Sequence, residues 1–283
     1  MNMVQEDFDI EQLRLARDLL ENPGLAARIS DLVGTPIERG FELLPDRWRQ
    51  VVNAAARKAI DASLDIALGS MNAGRRGVAS NRWHKAAATA TGATGGAFGL
   101  MALAIELPVS TTIMLRSIAD IARAEGEDLA LPEARLQCLQ VLALGGRSKD
   151  DDAAEAGYFA ARVALARAVS DAASHIARKG LAEKSAPAVV RLVSQVASRF
   201  SIVVSEKAAA QAVPLVGAFG GGVINAIFID HFQDMARGHF IVRRLERSHG
   251  TEAVRRMYAE LAGPASEQQR LPLEASAESP DKS

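Results

Sequence analysis

Apolar side chains recur at helical spacing along most of this chain. Ile10, Leu13, Ala16 and Leu20 begin one stripe; Asn22-Pro23-Gly24 interrupts it, and Leu25, Ile29 and Leu32-Val33 resume it up to Gly34. Pro45-Asp46 opens a long helix with Asp46 as expected N-cap, and Trp48, Val51, Val52, Ala55, Ala59, Leu64 and Ala67 carry its apolar face to Leu68. A loop is expected from Gly69 to Ser80. Pro108 is expected to start a helix stopping at Gly126, and Pro132 a helix stopping at Gly145-Gly146. Alanine-rich helices are expected over 153–179 and 187–210, a further one over Met235–Arg247, and a short one from Thr251, its N-cap, to Leu261. From Gly263 onward Pro, Ser, Glu, Gln and Asp dominate, the composition of a disordered tail.

Two segments break this amphipathic rhythm. Ala86–Ile105 runs for 20 residues without a formal charge and Ala208–Ile229 for 22. Gly92 and Gly96, Gly95 and Gly99, and Gly217 and Gly221 are each four apart, so on helices they make flat faces that admit a second backbone closely; Gly220 lies beside them. About 20 residues at 1.5 Å each match a hydrocarbon core of roughly 30 Å. The first run is mostly Ala, Thr and Gly, and Pro214 and Asn225 interrupt the second. Two readings follow: close-packed central helices of a water-soluble bundle, or partial insertion into a bilayer. Arg75, Arg76, Arg82 and Lys85, with Trp83 among them, precede the first run, and no Asp or Glu occurs from Ile66 to Ile105. A basic cluster with an indole beside an apolar anchor suits an anionic membrane face. Gly96-Ala97-Phe98-Gly99 recurs as Gly217-Ala218-Phe219-Gly220, which either duplication or chance in a Gly/Ala-rich chain explains.

Composition narrows the class. The chain has 283 residues, 33 Lys+Arg against 34 Asp+Glu, a net charge of −1 and 5% aromatics. Balanced charge disfavours a nucleic-acid binder, and low aromatic and β-branched clustering favours an all-α, single-domain multi-helix bundle of eight to ten helices. The expected divisions are an N-terminal helical segment over 1–44, the main helical domain over 45–262 and the tail over 263–283. One cysteine, Cys138, excludes disulfide frameworks. The acidic N-terminus carries no secretory pattern, so a cytoplasmic protein peripherally associated with the inner membrane face is expected.

Chemistry-bearing motifs are scarce. The glycines lie in apolar runs rather than at a strand-to-helix turn, so a phosphate cradle is not expected. On a helix Asp230 and Asp234 share a face with His231 nearby, a donor set for a divalent metal or an oriented base. Glu106 is the second candidate, a carboxylate among otherwise uncharged residues with Arg116 as expected partner.

Thr91-Gly92-Ala93-Thr94-Gly95-Gly96-Ala97-Phe98-Gly99, then Glu106-Leu107-Pro108, then Leu115-Arg116-Ser117-Ile118-Ala119-Asp120-Ile121-Ala122 and Gly126-Glu127-Asp128, resembles the EcsC protein family over residues 45–247. Glu106 stands where that pattern usually has Asp. The resemblance implies an association with an ABC transporter. Family members have been labelled peptidases, which no nucleophile–base pair or metal-binding helix in this chain supports. The expected function is a non-enzymatic, membrane-associated accessory protein that binds lipid or acyl chains, or assists a membrane protein, with no cofactor, no nucleic acid and the oligomeric state left open. The alternative is a metal-dependent hydrolase using Asp230, His231, Asp234 and Glu106.

Overall fold

The computed structural model describes residues 3–21, 25–33, 46–69, 100–146, 157–179, 186–212 and 221–261. Among them the chain is all-α, with nine helices: α1 Met3–Glu21, α2 Leu25–Val33, α3 Asp46–Gly69, α4 Leu100–Ala124, α5 Pro132–Leu144, α6 Gly157–Lys179, α7 Pro187–Ala212, α8 Gly221–His249 and α9 Thr251–Glu260. The loop expected at 69–80, the basic flank Arg75, Arg76, Arg82, Trp83 and Lys85, the glycines Gly92, Gly95, Gly96, Gly99, Gly217 and Gly220, and the tail 263–283 lie outside the described residues.

The arrangement is best read from α8, whose 29 residues give a rod of roughly 43 Å. Cross-helix contacts fix the direction of its neighbours. Gln233 donates to Ser117 and Arg243 to Glu127, so α4 and the segment after it advance along α8 in parallel. Tyr158 meets His239 and Arg162 meets Glu246, so α6 is also parallel. Antiparallel packing shows as pairs whose numbers rise on one helix and fall on the other. His239 bonds Gln137 and His231 bonds Gly145, placing α5 antiparallel. Lys207 bonds Asn225 and Phe200 stacks against Phe232, placing α7 antiparallel. His249 bonds Asp9, and a Cβ on Gly238 would lie 2.9 Å from Ala16 O, which places α1 antiparallel. The bundle therefore has two poles. The starts of α4 and α8 and the end of α7 share one; the ends of α4 and α8 share the other.

The most enclosed helix is α5, buried on every side from Ala134 to Leu144. Its polar groups are met inside the fold. Arg135 donates to Leu129 O at 2.6 Å, Ala130 O at 2.9 Å and Leu68 O at 3.1 Å, closing carbonyls at the end of α3 and in the α4–α5 turn. That turn begins at Gly126, whose φ of +83° is a left-handed geometry that glycine adopts without a Cβ clash.

Three expectations need correction. Pro108 lies inside α4, not at its start. Leu107 just before it and Met114, Leu115 and Ile118 after it are buried, which helps offset the missing Pro108 N–H. Asp230 does not end a segment either: Phe228, Phe232, Met235, Ala236 and Phe240 keep one buried stripe, so a single helix runs from Gly221 through the segment expected to begin at Met235. Thr251 is not the cap of α9; Gly250, at φ +84°, holds that place without a side-chain bond.

Candidate functional site

Lys207 is fully buried near the end of α7, and two helices supply its partners. Its ammonium donates to Glu106 Oε1 of α4 at 2.7 Å and to Asn225 Oδ1 of α8 at 2.8 Å. It also sits 4.6 Å from the centroid of the Phe228 ring, within cation–π range. Burial pushes the Lys207 pKa down, and the charge and hydrogen bond of Glu106 oppose that shift without cancelling it. The Lys207 donors therefore have partners in three directions. The acceptor side is less complete: Glu106 Oε2 has no hydrogen-bond partner, and one turn beyond Lys207 the buried Gln211 Nε2 has none.

The placement follows from the sequence. Glu106 is six residues into α4, Lys207 five before the end of α7 and Asn225 four after the start of α8. At 1.5 Å per residue these helix ends lie within about 9 Å of the cluster along their own axes. Residue 99, closing the glycine-rich part of the first run, is bonded to Leu100; residues 213–220 of the second connect Ala212 to Gly221. Both uncharged runs therefore join the described fold at one pole, and the charges that bound them, Glu106 after the first and Lys207 before the second, pair with each other. Val109 and Val223 beside the cluster are 45% and 47% exposed, so this pole also presents apolar surface.

The opposite pole is built from charge. Glu127 receives Arg243 Nε at 2.8 Å and Arg243 Nη2 at 3.2 Å, and Arg247 joins the same carboxylate. Burial would raise the Glu127 pKa, but Arg243 and then Arg247 outweigh it and hold the carboxyl below its ordinary range. Arg244 pairs with Glu125 at 3.1 Å, and Arg162 clasps Glu246 through two bonds of 2.8 and 2.6 Å. The Tyr158 hydroxyl lies 2.9 Å from His239 Nδ1, and His239 Nε2 lies 3.1 Å from Gln137 Oε1, so a neutral imidazole protonated at Nε2 donates to the glutamine and accepts from the tyrosine. Burial, with Arg162 and Arg243 nearby, keeps the His239 pKa well below its usual value, and burial pushes the Tyr158 hydroxyl up to about 12.

The Asp/His set of the alternative, metal-dependent reading is divided among different neighbours. Asp234 is held by Arg28 of α2 at 3.0 Å, with Arg237 at 3.7 Å. His231 turns to Gly145 O at 3.0 Å, and Glu106 belongs to Lys207. Asp230 is half-buried on α8. Among the described residues no group of three His, Cys, Asp or Glu side chains is placed to hold a metal ion. Arg116, the expected partner of Glu106, is exposed on α4 while Lys207 fills that role. Cys138 is a buried free thiol whose pKa burial raises.

Of the glycines expected to pack helices, Gly221 begins α8. Tight packing among the described residues falls on three others: Gly145 against Phe232, Gly146 against Arg199 O, and Gly238 against Leu20 and Ala16 O. Among the described residues one helix is long and apolar enough to cross a bilayer, Pro187–Gln211 of α7, with mean hydropathy 1.3; residues 86–99 of the first expected run and 213–220 of the second lie outside the described residues. Half of that stretch is buried inside the fold, and Arg191, Ser194, Gln195 and Ser198 are exposed on it.

No curated protein and no solved structure matches this chain. A family model described as EcsC protein family matches residues 9–245, reaching back from the main helices into α1. Since that match covers most of the sequence, the chain belongs to the EcsC protein family.

Proposed function

We propose that this protein is a non-enzymatic accessory factor that docks on anionic membrane through the pole marked by Glu106, Lys207 and Asn225. The observation that carries the reading is the joining of both glycine-rich, uncharged runs to that one pole, where Val109 and Val223 are exposed. Apolar anchors become effective when they enter a bilayer together, and the basic residues ahead of the first run supply attraction to anionic lipid. The charged groups at the far end of α4 and α8 are stationed roughly 27 Å away, the length of the 18 residues between Asn225 and Arg243. Docking on the inner face of the membrane, beside a transporter or another membrane protein, fits this polarity.

Co-sedimentation with vesicles tests the reading. Wild-type protein should pellet with phosphatidylcholine vesicles containing phosphatidylglycerol and remain in solution with phosphatidylcholine alone. Changing Arg75, Arg76, Arg82 and Lys85 together to Glu should abolish the anionic-lipid dependence. Recovery of the wild type entirely in the supernatant at low salt would overturn the proposal.

A further inference from the structure

Between α3 and α7 lies a groove of about 280 Å³, lined by Arg57, Asp61, Leu64, Asp65, Val190 and Val193. Leu64 and Val193 are buried and form its floor, and Val190 is 40% exposed at its mouth. Helical spacing produces this surface. Asp61, Leu64 and Asp65 share one face of α3, and Val190 and Val193 share one face of α7. Arg57 closes one end: it donates to Ser194 Oγ of α7 at 3.0 Å, and its Nε lies 3.4 Å from Asp61 Oδ2. Two carboxylates against one guanidinium leave the groove net negative above an apolar floor. The Asp61 side chain is 56% exposed, and a carboxylate offers about four acceptor sites, so the bond to Arg57 leaves it able to take a further donor. Val190 precedes Lys207 by 17 residues, roughly 25 Å along α7, which sets the groove well apart from the sealed pair.

We infer that this groove docks a basic segment of a partner protein, which lays the aliphatic stem of a Lys or Arg side chain over Leu64, Val190 and Val193 and sets its cation between Asp61 and Asp65. The two surfaces of the groove select that chemistry. A long basic side chain has an apolar stem and a charged tip, and it is complementary only where an apolar strip ends at a carboxylate. Asp61 and Asp65 are one turn apart, about 6 Å along α3, so the several donors of one ammonium or guanidinium reach toward both. Arg57, anchored on Ser194, fixes the direction of binding: it repels a cation from its own end and turns the tip toward Asp65. An acidic segment meets two carboxylates and is rejected. The site goes beyond the membrane reading and does not depend on it, because a partner seated here leaves the Lys207 pole uncovered.

Fluorescence anisotropy with the full-length protein, in the absence of vesicles, tests the site. The probe is a fluorescein-labelled Gly-Leu-Lys-Leu-Lys-Gly peptide, and the control peptide carries Glu in place of both lysines. The Lys peptide should bind and the Glu peptide should not, and binding should weaken as salt screens the exposed charges. Asp61→Asn together with Asp65→Asn should weaken binding about tenfold, the loss of two surface charge pairs. Both positions are exposed, so the variant should keep the wild-type circular dichroism and urea midpoint. Val190→Ser should weaken binding about threefold by shortening the apolar strip. No binding of the Lys peptide, equal binding of the Glu peptide, or full affinity in the Asn variant would each overturn the site. Two other occupants would overturn it as well. Tighter peptide binding after Arg75, Arg76, Arg82 and Lys85 are changed to Glu would assign the groove to the chain's own basic stretch. Wild-type dimers in sedimentation that the Asn variant loses would assign it to a second copy. Vesicle binding should be the same in the Asn variant and the wild type, so the docking site and the membrane reading fail separately.

Discussion

The two poles of the bundle use charge in opposite ways. At one, a single ammonium–carboxylate pair is sealed among α4, α7 and α8, with Lys207 0% and Glu106 4% exposed along their side chains. At the other, Glu127 is shared by Arg243 and Arg247, Arg244 reaches Glu125, and His249 reaches Asp9, with Arg247 42% and Arg244 33% exposed along their side chains. Water and alternative partners make each bond of the second pole replaceable. The first pole has neither, so the same kind of interaction becomes a position where one deletion strands a charge in a medium that cannot solvate it.

The largest expected effect breaks the sealed pole. Lys207→Ala leaves Glu106 without its cation and should cost about 3–5 kcal/mol, read by urea denaturation. The double change Glu106→Leu with Lys207→Met should return stability to within about 1 kcal/mol of wild type, because no buried charge remains. A double variant as unstable as the single would show that the pair holds the fold by its geometry and not through charge balance.

A second test attacks the contact of α1 with the charged half of α8. A Cβ on Gly238 meets Leu20 and Ala16 O, so Gly238→Val should cost about 2–3 kcal/mol by overpacking and loosen α1. Hydrogen exchange should then rise in residues 7–20 and stay unchanged around Lys207.

The remaining tests titrate the charged pole. Arg243→Met should cost about 1–2 kcal/mol at pH 7, since Arg247 still pairs Glu127. Glu127 has a lowered pKa in the folded chain, so its contribution is present above its unfolded value of 4.5 and lost as pH falls through the folded one. The deficit of Arg243→Met relative to wild type should accordingly shrink in acid. His239 also has a lowered folded pKa. Below its unfolded value of 6.5 the unfolded chain takes up a proton the folded chain resists, and stability falls. Stability should therefore fall as pH drops below about 6.5, a slope that His239→Asn lacks. An unchanged slope in that variant would assign the pH dependence to other groups.

Much of this fold is legible in the sequence, because helical spacing and breakers act locally. Pro132, Gly126 and Gly145 bound their helices where turn chemistry says they should. Pro108 and Asp230 misled for one shared reason: a strong local signal was outweighed by a buried stripe continuing on both sides of it. The candidate site was half legible. Glu106 was conspicuous as a carboxylate among apolar residues, whereas Lys207, the residue before the second run, does not stand out in an alanine-rich helix. One signal was available: the runs are bounded by opposite charges, and two buried opposite charges relieve each other's desolvation. Sequence spacing cannot reveal a pair 101 residues apart, and the seats of Gly145, Gly146 and Gly238 depend on which helices happen to cross there.

The central claim is that one pole of α8, and not the other, meets the membrane. An environment-sensitive fluorophore placed on a single cysteine at Val223 or at Ser248, in a Cys138→Ser background, tests this directly. Anionic vesicles should shift the emission of the Val223 probe to the blue and leave the Ser248 probe unchanged; a shift at Ser248, or at neither position, would contradict the account.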